Sequence, residues 1–287
     1  MTLAIKIENL IKSYGQNTAI KGISFDVKKG EVFALLGTNG AGKTTTLECI
    51  EGIRKYDGGE ISINGDFGVQ LQSSSLPANI KVIEAFTLFS KWNKSTIDLS
   101  LFESLGLSEI KNKQYCQLST GQKRRLHLAL GLIGDPDIIF LDEPTAGLDV
   151  EGRAALHEQI RRFKNNGKTI VLSSHDMAEI ESLCDRLAIL KDGKIAFIGT
   201  VEELTKQIQP LIKLQIKTCN PLIKADFFHS TYVETENNYY TYVTTNVSDG
   251  LMEILDFLKG SSNPVIDIII LHQSLEESFL GIAKGVK

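Results

Sequence analysis

Short apolar runs alternate with longer stretches in which apolar residues return at helical spacing, from residue 1 to about residue 205. Three of the runs have the length of buried strands: Gly30–Gly37, Asp137–Asp142 and Lys168–His175. Continuous apolar strands separated by helix-length segments predict a mostly parallel sheet that is covered on both faces. Functional groups are then expected beyond the carboxyl ends of those strands.

Residues from about 73 to 130 have a different pattern. In Ile80–Phe89 and in Ser100–Leu105 the apolar residues recur at helical spacing. This spacing predicts a helical subdomain that is inserted between elements of the sheet.

After residue 205 the long apolar runs give way to shorter elements. The pattern predicts strands at Leu211–Thr218, Tyr239–Thr244 and Val265–Leu271, and helices at Ser248–Lys259 and Ser274–Ile282. The sequence therefore predicts two domains: a large α/β domain at residues 1–205 and a small α+β domain of unknown role at residues 206–287.

Composition and charge exclude several classes of protein. The chain has 287 residues, of which 42% are hydrophobic and 23% charged, so it is neither disordered nor collagen-like. Its 31 Lys and Arg residues against 35 Asp and Glu residues give a formal net charge of −4. Without a global positive field, no nucleic-acid partner is expected. The four cysteines have no paired spacing, which is typical of a reducing cytosol and argues against structural zinc.

No apolar run approaches the roughly 20 residues that a helix needs to cross a bilayer. The N-terminus lacks the basic segment followed by an apolar segment that marks a secretory signal. The chain is therefore expected in the cytosol unless a partner holds it elsewhere.

A phosphate-binding pattern follows the first buried strand. Residues 37–44 read Gly-Thr-Asn-Gly-Ala-Gly-Lys-Thr and fit G-x-x-x-x-G-K-S/T between a predicted strand and a predicted helix. The glycines let backbone N–H groups point at phosphate oxygens, and the helix N-terminus adds partial positive charge. Lys43 can reach the terminal phosphates, and the Thr44 hydroxyl can ligate Mg²⁺. The predicted nucleoside triphosphate contacts are Gly37, Thr38, Asn39, Gly40, Ala41, Gly42, Lys43, Thr44 and Thr45.

Two acidic residues, Asp142 and Glu143, end the second buried strand. By themselves, two acids at a strand end are more often a solvated edge. After a phosphate loop the functional interpretation is favoured, because a site for a magnesium–nucleotide complex requires such groups. One carboxylate can hold the magnesium shell and the other can accept a proton from the attacking water.

Two further segments give the chain a family resemblance. They are Leu118-Ser-Thr-Gly-Gln122 and Leu141-Asp-Glu-Pro-Thr-Ala-Gly-Leu-Asp149. With the phosphate loop, they make residues 1–205 resemble the ATP-binding subunit of an ABC transporter. The resemblance implies a P-loop NTPase core of the ABC ATPase type with a helical subdomain, an ATPase activity, and ATP and Mg²⁺ as ligands.

The resemblance also implies roles for single residues. Tyr14 matches an aromatic residue that stacks on adenine, although it could be only a strand-end aromatic. Gln72 matches a glutamine that contacts Mg²⁺ and the hydrolytic water and links the nucleotide to the membrane partner. Gln70 is the alternative in register; Gln72 is preferred because Ser-Ser-Ser-Leu-Pro follows it. The implied metal contacts are Thr44, Gln72 and Asp142.

Glu143 corresponds to the catalytic base of that family, and His175 to the histidine that senses the γ-phosphate. Asp149 matches an aspartate in the loop that crosses the dimer interface. In this family two subunits pack head to tail, so that the signature segment of one completes the ATP site of the other. The residues implied to act on the partner's nucleotide are Ser119, Gly121 and Gln122.

The sequence departs from the commonest family pattern at two positions. Thr120 replaces the first glycine of the signature pair, and Thr38 replaces a frequent proline in the phosphate loop. Arg124 and Arg125 are interpreted as the solvated and phosphate-facing sides of the signature helix.

Three hypotheses for function follow. The first is an ATPase subunit that drives a separate multi-spanning membrane permease, with the chain peripheral on the inner face of the cell membrane. Leu183–Gly193 and Ile198–Leu204 resemble the exporter branch, so export is the expected direction. The second is a soluble ABC-type ATPase acting on ribosomes or DNA, whose relatives carry tandem domains, a coiled-coil insertion or zinc cysteines. The third, a partner that does not hydrolyse ATP, would have lost Glu143 or His175.

Overall fold

The computed structural model describes residues 2–70, 76–207, 212–221, 226–271 and 279. The chain divides into two compact units, Met1–Val201 and Glu202–Lys287. The boundary expected from the sequence, at residue 205, falls within the helix Val201–Gln207. Among the described residues, no helix combines the length and the hydrophobicity that a bilayer span requires.

Within its described residues, the first unit contains fifteen strands and helices. In chain order they are β1 (Leu3–Tyr14), β2 (Asn17–Lys28), β3 (Val32–Gly37), α1 (Lys43–Ile50), β4 (Gly58–Ile63), β5 (Phe67–Gln70), α2 (Val82–Trp92), α3 (Leu99–Ser104), α4 (Thr120–Gly131), β6 (Ile138–Asp142), α5 (Val150–Asn165), β7 (Thr169–Ser173), α6 (Met177–Leu183), β8 (Arg186–Lys191) and β9 (Lys194–Gly199).

The central sheet of this unit has the strand order β5-β6-β7-β3-β8-β9. The strands from β5 to β8 run parallel, and β9 pairs antiparallel with β8. Every residue of β3, β6 and β7 is buried, because these strands are covered on both faces. The mostly parallel sheet predicted from the apolar runs is therefore confirmed, and the carboxyl ends of β6, β7 and β3 lie side by side.

A second, antiparallel sheet of three strands has the order β2-β1-β4. Its apolar face shares one core with the central sheet, where Ile7 and Leu10 belong to the same buried cluster as Leu35. The rings of Phe25 and Phe33 stack across this core with centroids 5.4 Å apart. The sequence pattern did not predict this sheet.

Helices α2, α3 and α4 occupy the segment with helical spacing. Phe86 of α2 packs edge to face on Phe102 of α3, with ring centroids 5.1 Å apart. Short 3₁₀ turns at Ser108–Ile110 and Tyr115–Gln117 lead into α4. The second of these turns ends at Gln117, and Ser119 is the N-cap residue of α4.

The remaining elements are α7 (Val201–Gln207), β10 (Ile212–Thr218), β11 (Ser230–Glu236), β12 (Tyr239–Thr244), α8 (Val247–Gly260) and β13 (Val265–Leu271). The four strands form an antiparallel sheet in the order β11-β12-β10-β13. Leu214, Tyr242 and Ile254 are fully buried in the core between this sheet and α8. The predicted helix Ser274–Ile282 lies outside the described residues apart from Phe279.

Candidate nucleotide-binding and hydrolysis site

The phosphate loop turns sharply between β3 and α1, and it requires glycine at position 37 because of a close contact and at position 42 because of a left-handed backbone. A Cβ atom on Gly37 would lie 2.6 Å from the carbonyl oxygen of Leu190. Gly42 has φ +107° and caps α1 without a side-chain hydrogen bond. The first turn of α1, all of it within the described residues, carries no acidic residue. The helix N-terminus therefore offers its backbone N–H groups and partial positive charge to an anion.

Lys43 lies inside the loop and not in solvent. Its Nζ donates to the carbonyl oxygens of Gly37 at 2.8 Å and Thr38 at 3.5 Å, and only 7% of the residue is exposed. Burial lowers the pKa of the Lys43 ammonium, while the charges of Glu143 and Asp142 act in the opposite direction. A cation that is partly stripped of water and surrounded by N–H groups favours a phosphate ligand.

Thr38, Asn39 and Gly40 form the exposed crest of the loop. Ala41 is buried behind it and donates its backbone N–H to the Thr38 carbonyl at 3.1 Å. Thr44 and Thr45 follow in the first turn of α1, both half-buried. The loop residues predicted from the sequence are thus neighbours in one turn.

Asp142 ends β6 with 6% of its surface exposed. It lies opposite Ser173 in the register of β6 and β7, and the Ser173 hydroxyl donates to Asp142 Oδ1. The Asp142 carboxylate and the Thr44 hydroxyl are oxygen donors, the type that Mg²⁺ prefers. Magnesium usually takes one or two protein carboxylates and completes its shell with water and substrate phosphates. The donor chemistry at this strand end therefore fits Mg²⁺.

Glu143 adopts a left-handed backbone conformation directly after β6, with φ +45°. Its N–H donates to the carbonyl oxygen of Ser173 at 3.2 Å and to the Ser173 hydroxyl at 3.0 Å. His175 Nδ1 lies 3.6 Å from Glu143 Oε1. The Glu143 side chain is largely buried, whereas 66% of the His175 side chain is exposed. The structure thus brings together a carboxylate that can accept a proton and an imidazole that can contact a phosphate.

The signature segment forms the N-terminus of α4. The Ser119 hydroxyl accepts the N–H of Gln122 at 3.2 Å, and Gln122 Oε1 accepts the N–H of Ser119 at 3.1 Å, which is a capping box. Ser119 and Thr120 are exposed, so this helix start lies on the surface of the unit. Their contact with a partner's nucleotide stays a prediction.

The loop before α5 lies next to the signature segment. A Cβ atom on Gly147 would be 3.7 Å from the Thr120 methyl group, and one on Gly121 would be 3.7 Å from Leu148 Cδ2. These are ordinary van der Waals distances, so the threonine at position 120 is accommodated within the chain. Asp149 is exposed and caps α5, its Oδ1 accepting the N–H of Gly152 at 2.8 Å.

Tyr14 lies at the end of β1 and is 43% exposed. The cations of Lys12 and Arg54 lie 5.5 Å and 5.3 Å from the centroid of its ring. The β1–β2 hairpin approaches the phosphate loop at Ala19, whose carbonyl oxygen would be 3.1 Å from a Cβ atom on Gly42. Tyr14 is therefore an accessible aromatic surface on a hairpin beside the loop, and its stacking on adenine stays a prediction.

Gln72 lies outside the described residues, so its role stays a prediction. The alternative glutamine, Gln70, ends β5 and is 3% exposed. Its Oε1 is buried without a hydrogen-bond partner.

Three residues hold the site in place although the sequence did not predict that role for them: Ser173, Arg124 and Glu179. Ser173 bridges Asp142 and Glu143, as described above. Arg124 Nη1 donates to the Glu143 carbonyl oxygen at 2.9 Å. This guanidinium is therefore bound to the backbone and is not simply a solvated group. Glu179 is 1% exposed and accepts from the Ser174 hydroxyl at 2.5 Å. No local signal marks Arg124, because its contact depends on how α4 packs against the end of β6.

The comparisons with known proteins all find ABC transporters or ATP-binding proteins. A family model described as ABC transporter matches residues 20–146. An uncharacterised ABC transporter ATP-binding protein of Methanocaldococcus jannaschii is 39% identical over 71% of this chain and 80% of that protein. The linearmycin resistance ATP-binding protein LnrL of Bacillus subtilis is 33% identical over 75% of this chain and 76% of that protein. The Nod factor export ATP-binding protein I of Burkholderia orbicola is 38% identical over 66% of this chain and 68% of that protein.

Solved structures agree with the sequence relatives. An ATP-binding subunit of an ABC transporter superposes with a TM-score of 0.66 at 26% identity, covering 71% of this chain and 92% of that structure. A bacterial ABC transporter cassette solved as a dimer superposes with a TM-score of 0.63 at 24% identity, covering 68% of this chain and 98% of that structure. The second likeness shows the fold alone.

Proposed function

Because this chain belongs to the family of ABC transporter ATP-binding proteins, which hydrolyse ATP to power transport, we propose that its ATP site is formed by the phosphate loop together with Asp142, Glu143 and His175. One observation carries this proposal. The ends of the adjacent strands β3, β6 and β7 bring a buried lysine, a buried aspartate and a glutamate–histidine pair to one edge of the sheet. This edge is where parallel α/β sheets bind ligands.

Each group then has a distinct task at the nucleotide. The N–H groups of residues 37–45 and the Lys43 ammonium bind the phosphates. Thr44 and Asp142, with Gln72, would hold Mg²⁺, which supplies neutralisation of the charge that develops on the transferred phosphoryl group. Glu143 accepts a proton from the attacking water, and His175 contacts the γ-phosphate. Tyr14 stacks on the adenine.

ATP-binding subunits of this family dimerise and work with membrane permeases. For this chain we propose a head-to-tail pair, identical or not, in which Ser119, Gly121 and Gln122 contact the partner's nucleotide and Asp149 lies at the interface. Ser119 and Asp149, which cap the N-termini of α4 and α5, are both exposed, and this exposure supports the arrangement. We further propose that the pair sits on the inner face of the cell membrane through a multi-spanning permease on a separate chain. The Nod factor export relative supports export as the direction.

Steady-state hydrolysis tests the role of Glu143. Glu143→Gln should keep ATP binding and lose turnover by at least about 100-fold, the usual contribution of a general base. Glu158→Gln, which removes an exposed carboxylate on α5, serves as the matched control and should hydrolyse ATP at the wild-type rate. Near-normal turnover by Glu143→Gln would refute the assignment.

Copurification tests the partner. A tagged Glu143→Gln chain should hold ATP and stay with its partners when it is purified with ATP and Mg²⁺ from detergent-solubilised membranes of its own cell. A multi-spanning permease in stoichiometric amount is the expected result. Ribosomal proteins or DNA without a membrane protein would favour the soluble ATPase instead.

A further inference from the structure

The backbone of Glu143 is held in a conformation that most residues avoid. Its φ of +45° lies in the left-handed region, which is unfavourable for a residue that has a Cβ atom. Such a conformation persists only where the surroundings determine it, and it is typical of functional sites. The orientation of the Glu143 carboxylate therefore depends on the groups that fix its two peptide planes.

One of these planes is fixed by the sheet and the other by the signature helix. On the amino side, the Glu143 N–H donates to the Ser173 carbonyl and hydroxyl oxygens, which belong to β7. On the carboxyl side, the Glu143 carbonyl oxygen accepts Nη1 of Arg124 at 2.9 Å and the N–H of Ala146 at 3.2 Å. Arg124 belongs to α4, the helix that Ser119 caps.

The Arg124 guanidinium lies in a partly buried, acidic environment. Burial lowers its pKa, and the charges of Glu143, Asp142 and Glu179 act in the opposite direction. A charged hydrogen bond to a backbone carbonyl in such surroundings is stronger than a neutral one. The neighbouring cation on the same helix, Lys123, lies instead over the ring of Tyr115, 5.0 Å from its centroid.

We propose that Arg124 is a positioning residue for Glu143, so that the helix which carries the signature segment also sets the orientation of the base in its own ATP site. This inference rests on the proposed function, in which Glu143 is the base and Ser119 faces the partner's nucleotide.

Arg124→Met tests the inference, because methionine keeps much of the side-chain length and removes the donors. In the full-length chain, with any permease that copurifies, kcat should fall about tenfold, equivalent to roughly 1.4 kcal/mol in the barrier. The affinity for Mg²⁺–ATP should stay within about twofold, since Arg124 belongs to α4 and not to the phosphate loop, and donates to the backbone of Glu143. Arg124→Lys, which retains a cation, should recover part of kcat. Lys123→Met is the matched control and should leave kcat unchanged.

A double-mutant comparison separates positioning from a general loss of structure. In the Glu143→Gln background, Arg124→Met should not lower the residual single-turnover rate further, because the group that it positions is already lost. Melting curves of all variants establish that they fold.

Two results overturn the inference. One is an equal loss of kcat in Arg124→Met and Lys123→Met, and the other is a tenfold loss that persists in the Glu143→Gln background. Wild-type turnover by Glu143→Gln overturns the proposed function, whereas an inactive Glu143→Gln with a fully active Arg124→Met overturns this inference alone.

Discussion

The phosphate loop buries its lysine, Lys43. Two backbone carbonyl oxygens, of Gly37 and Thr38, accept from Lys43 Nζ. A phosphate would give the ammonium a negatively charged acceptor in place of a neutral one. The Lys43 ammonium and the N–H groups of the loop are therefore the groups expected to attract the ligand.

Lys43→Ala should accordingly weaken ATP binding. Loss of a charged hydrogen bond worth about 1.5–3 kcal/mol corresponds to a roughly 10- to 100-fold increase in Kd. Isothermal titration calorimetry with Mg²⁺–ATP measures this change. Lys55→Ala, which removes an exposed lysine after α1, should leave Kd unchanged. Equal affinity of the wild-type and Lys43→Ala chains would count against the phosphate-loop assignment.

At the scale of single residues, the sequence predicts those site residues that are close to one another in the chain. Residues 37–45 lie in one turn, and Asp142 and Glu143 are adjacent in the chain, so their proximity needs no knowledge of the fold. The left-handed backbone of Glu143 could not be predicted, because glutamate has no preference for that conformation. The supporting contacts of Ser173 and Arg124 come from 30 and 19 residues away in the chain.

At the scale of helices and strands, the buried carboxylate of Glu179 joins three segments around the loop that carries His175. This loop, residues 174–176 between β7 and α6, is called the histidine loop below. Glu179 of α6 accepts from the Ser174 hydroxyl at 2.5 Å and from the Thr145 hydroxyl at 3.2 Å. The Ser174 hydroxyl in turn accepts the N–H of Asp176 at 3.0 Å. On the α5 side, His157 Nε2 lies 3.6 Å from Glu179 Oε1. Glu179 thus connects α5, the loop after β6 and the residues on both sides of His175.

Glu179→Met should loosen the histidine loop, because it leaves the buried hydroxyls of Ser174 and Thr145 without their acceptor. The expected loss of folding stability is about 1–3 kcal/mol. Peptide-resolved hydrogen exchange should show faster exchange across residues 173–177. Glu179→Gln is the matched control, since its amide oxygen can still accept both hydroxyls. Slow, wild-type-like exchange in Glu179→Met would contradict this account.

The strands illustrate which elements a sequence pattern can reveal. Buried on both faces, β3, β6 and β7 are continuous apolar runs and stand out. The partners β1 and β2 are longer, at 12 residues each, yet they were not predicted. Their pairing shifts register at several points, including between Ile7 and Leu10, which interrupts the two-residue alternation that marks a half-exposed strand.

At the scale of the whole molecule, the order of the strands in the central sheet determines which residues come together at the candidate site. The pattern predicts a parallel sheet, but it does not predict that β3 lies between β7 and β8 or that β6 lies beside β7. β6 and β7 are consecutive strands joined by α5, but β3 is separated from both of its neighbours by most of the first unit, so its pairing is a non-local property. It is this order that brings Lys43, Asp142 and His175 to one edge of the first unit.

The stability of the folded chain also depends on a carboxyl group that the ATP site does not use. Glu51, at the end of α1, is 8% exposed. Burial, followed by the charges of Asp142 and Glu48, raises its pKa from 4.5 to about 7. Because the folded-state pKa is raised, the protonated form is favoured by folding. Its contribution to stability is complete below the ordinary pKa of 4.5 and is lost as the pH rises through about 7.

Glu51→Gln removes this titration and keeps the shape of the neutral carboxyl group. Relative to wild type, the free energy of unfolding of the variant should therefore rise between pH 5 and pH 8, by up to about 3 kcal/mol. Urea unfolding at several pH values, without nucleotide and with chelator, measures the difference between the two chains. Glu158→Gln, an exposed change on α5, should show a difference that does not vary with pH. A pH-independent difference for Glu51→Gln as well would mean that Glu51 is already ionised in the folded chain at pH 5, and that the charge of Asp142 does not oppose it.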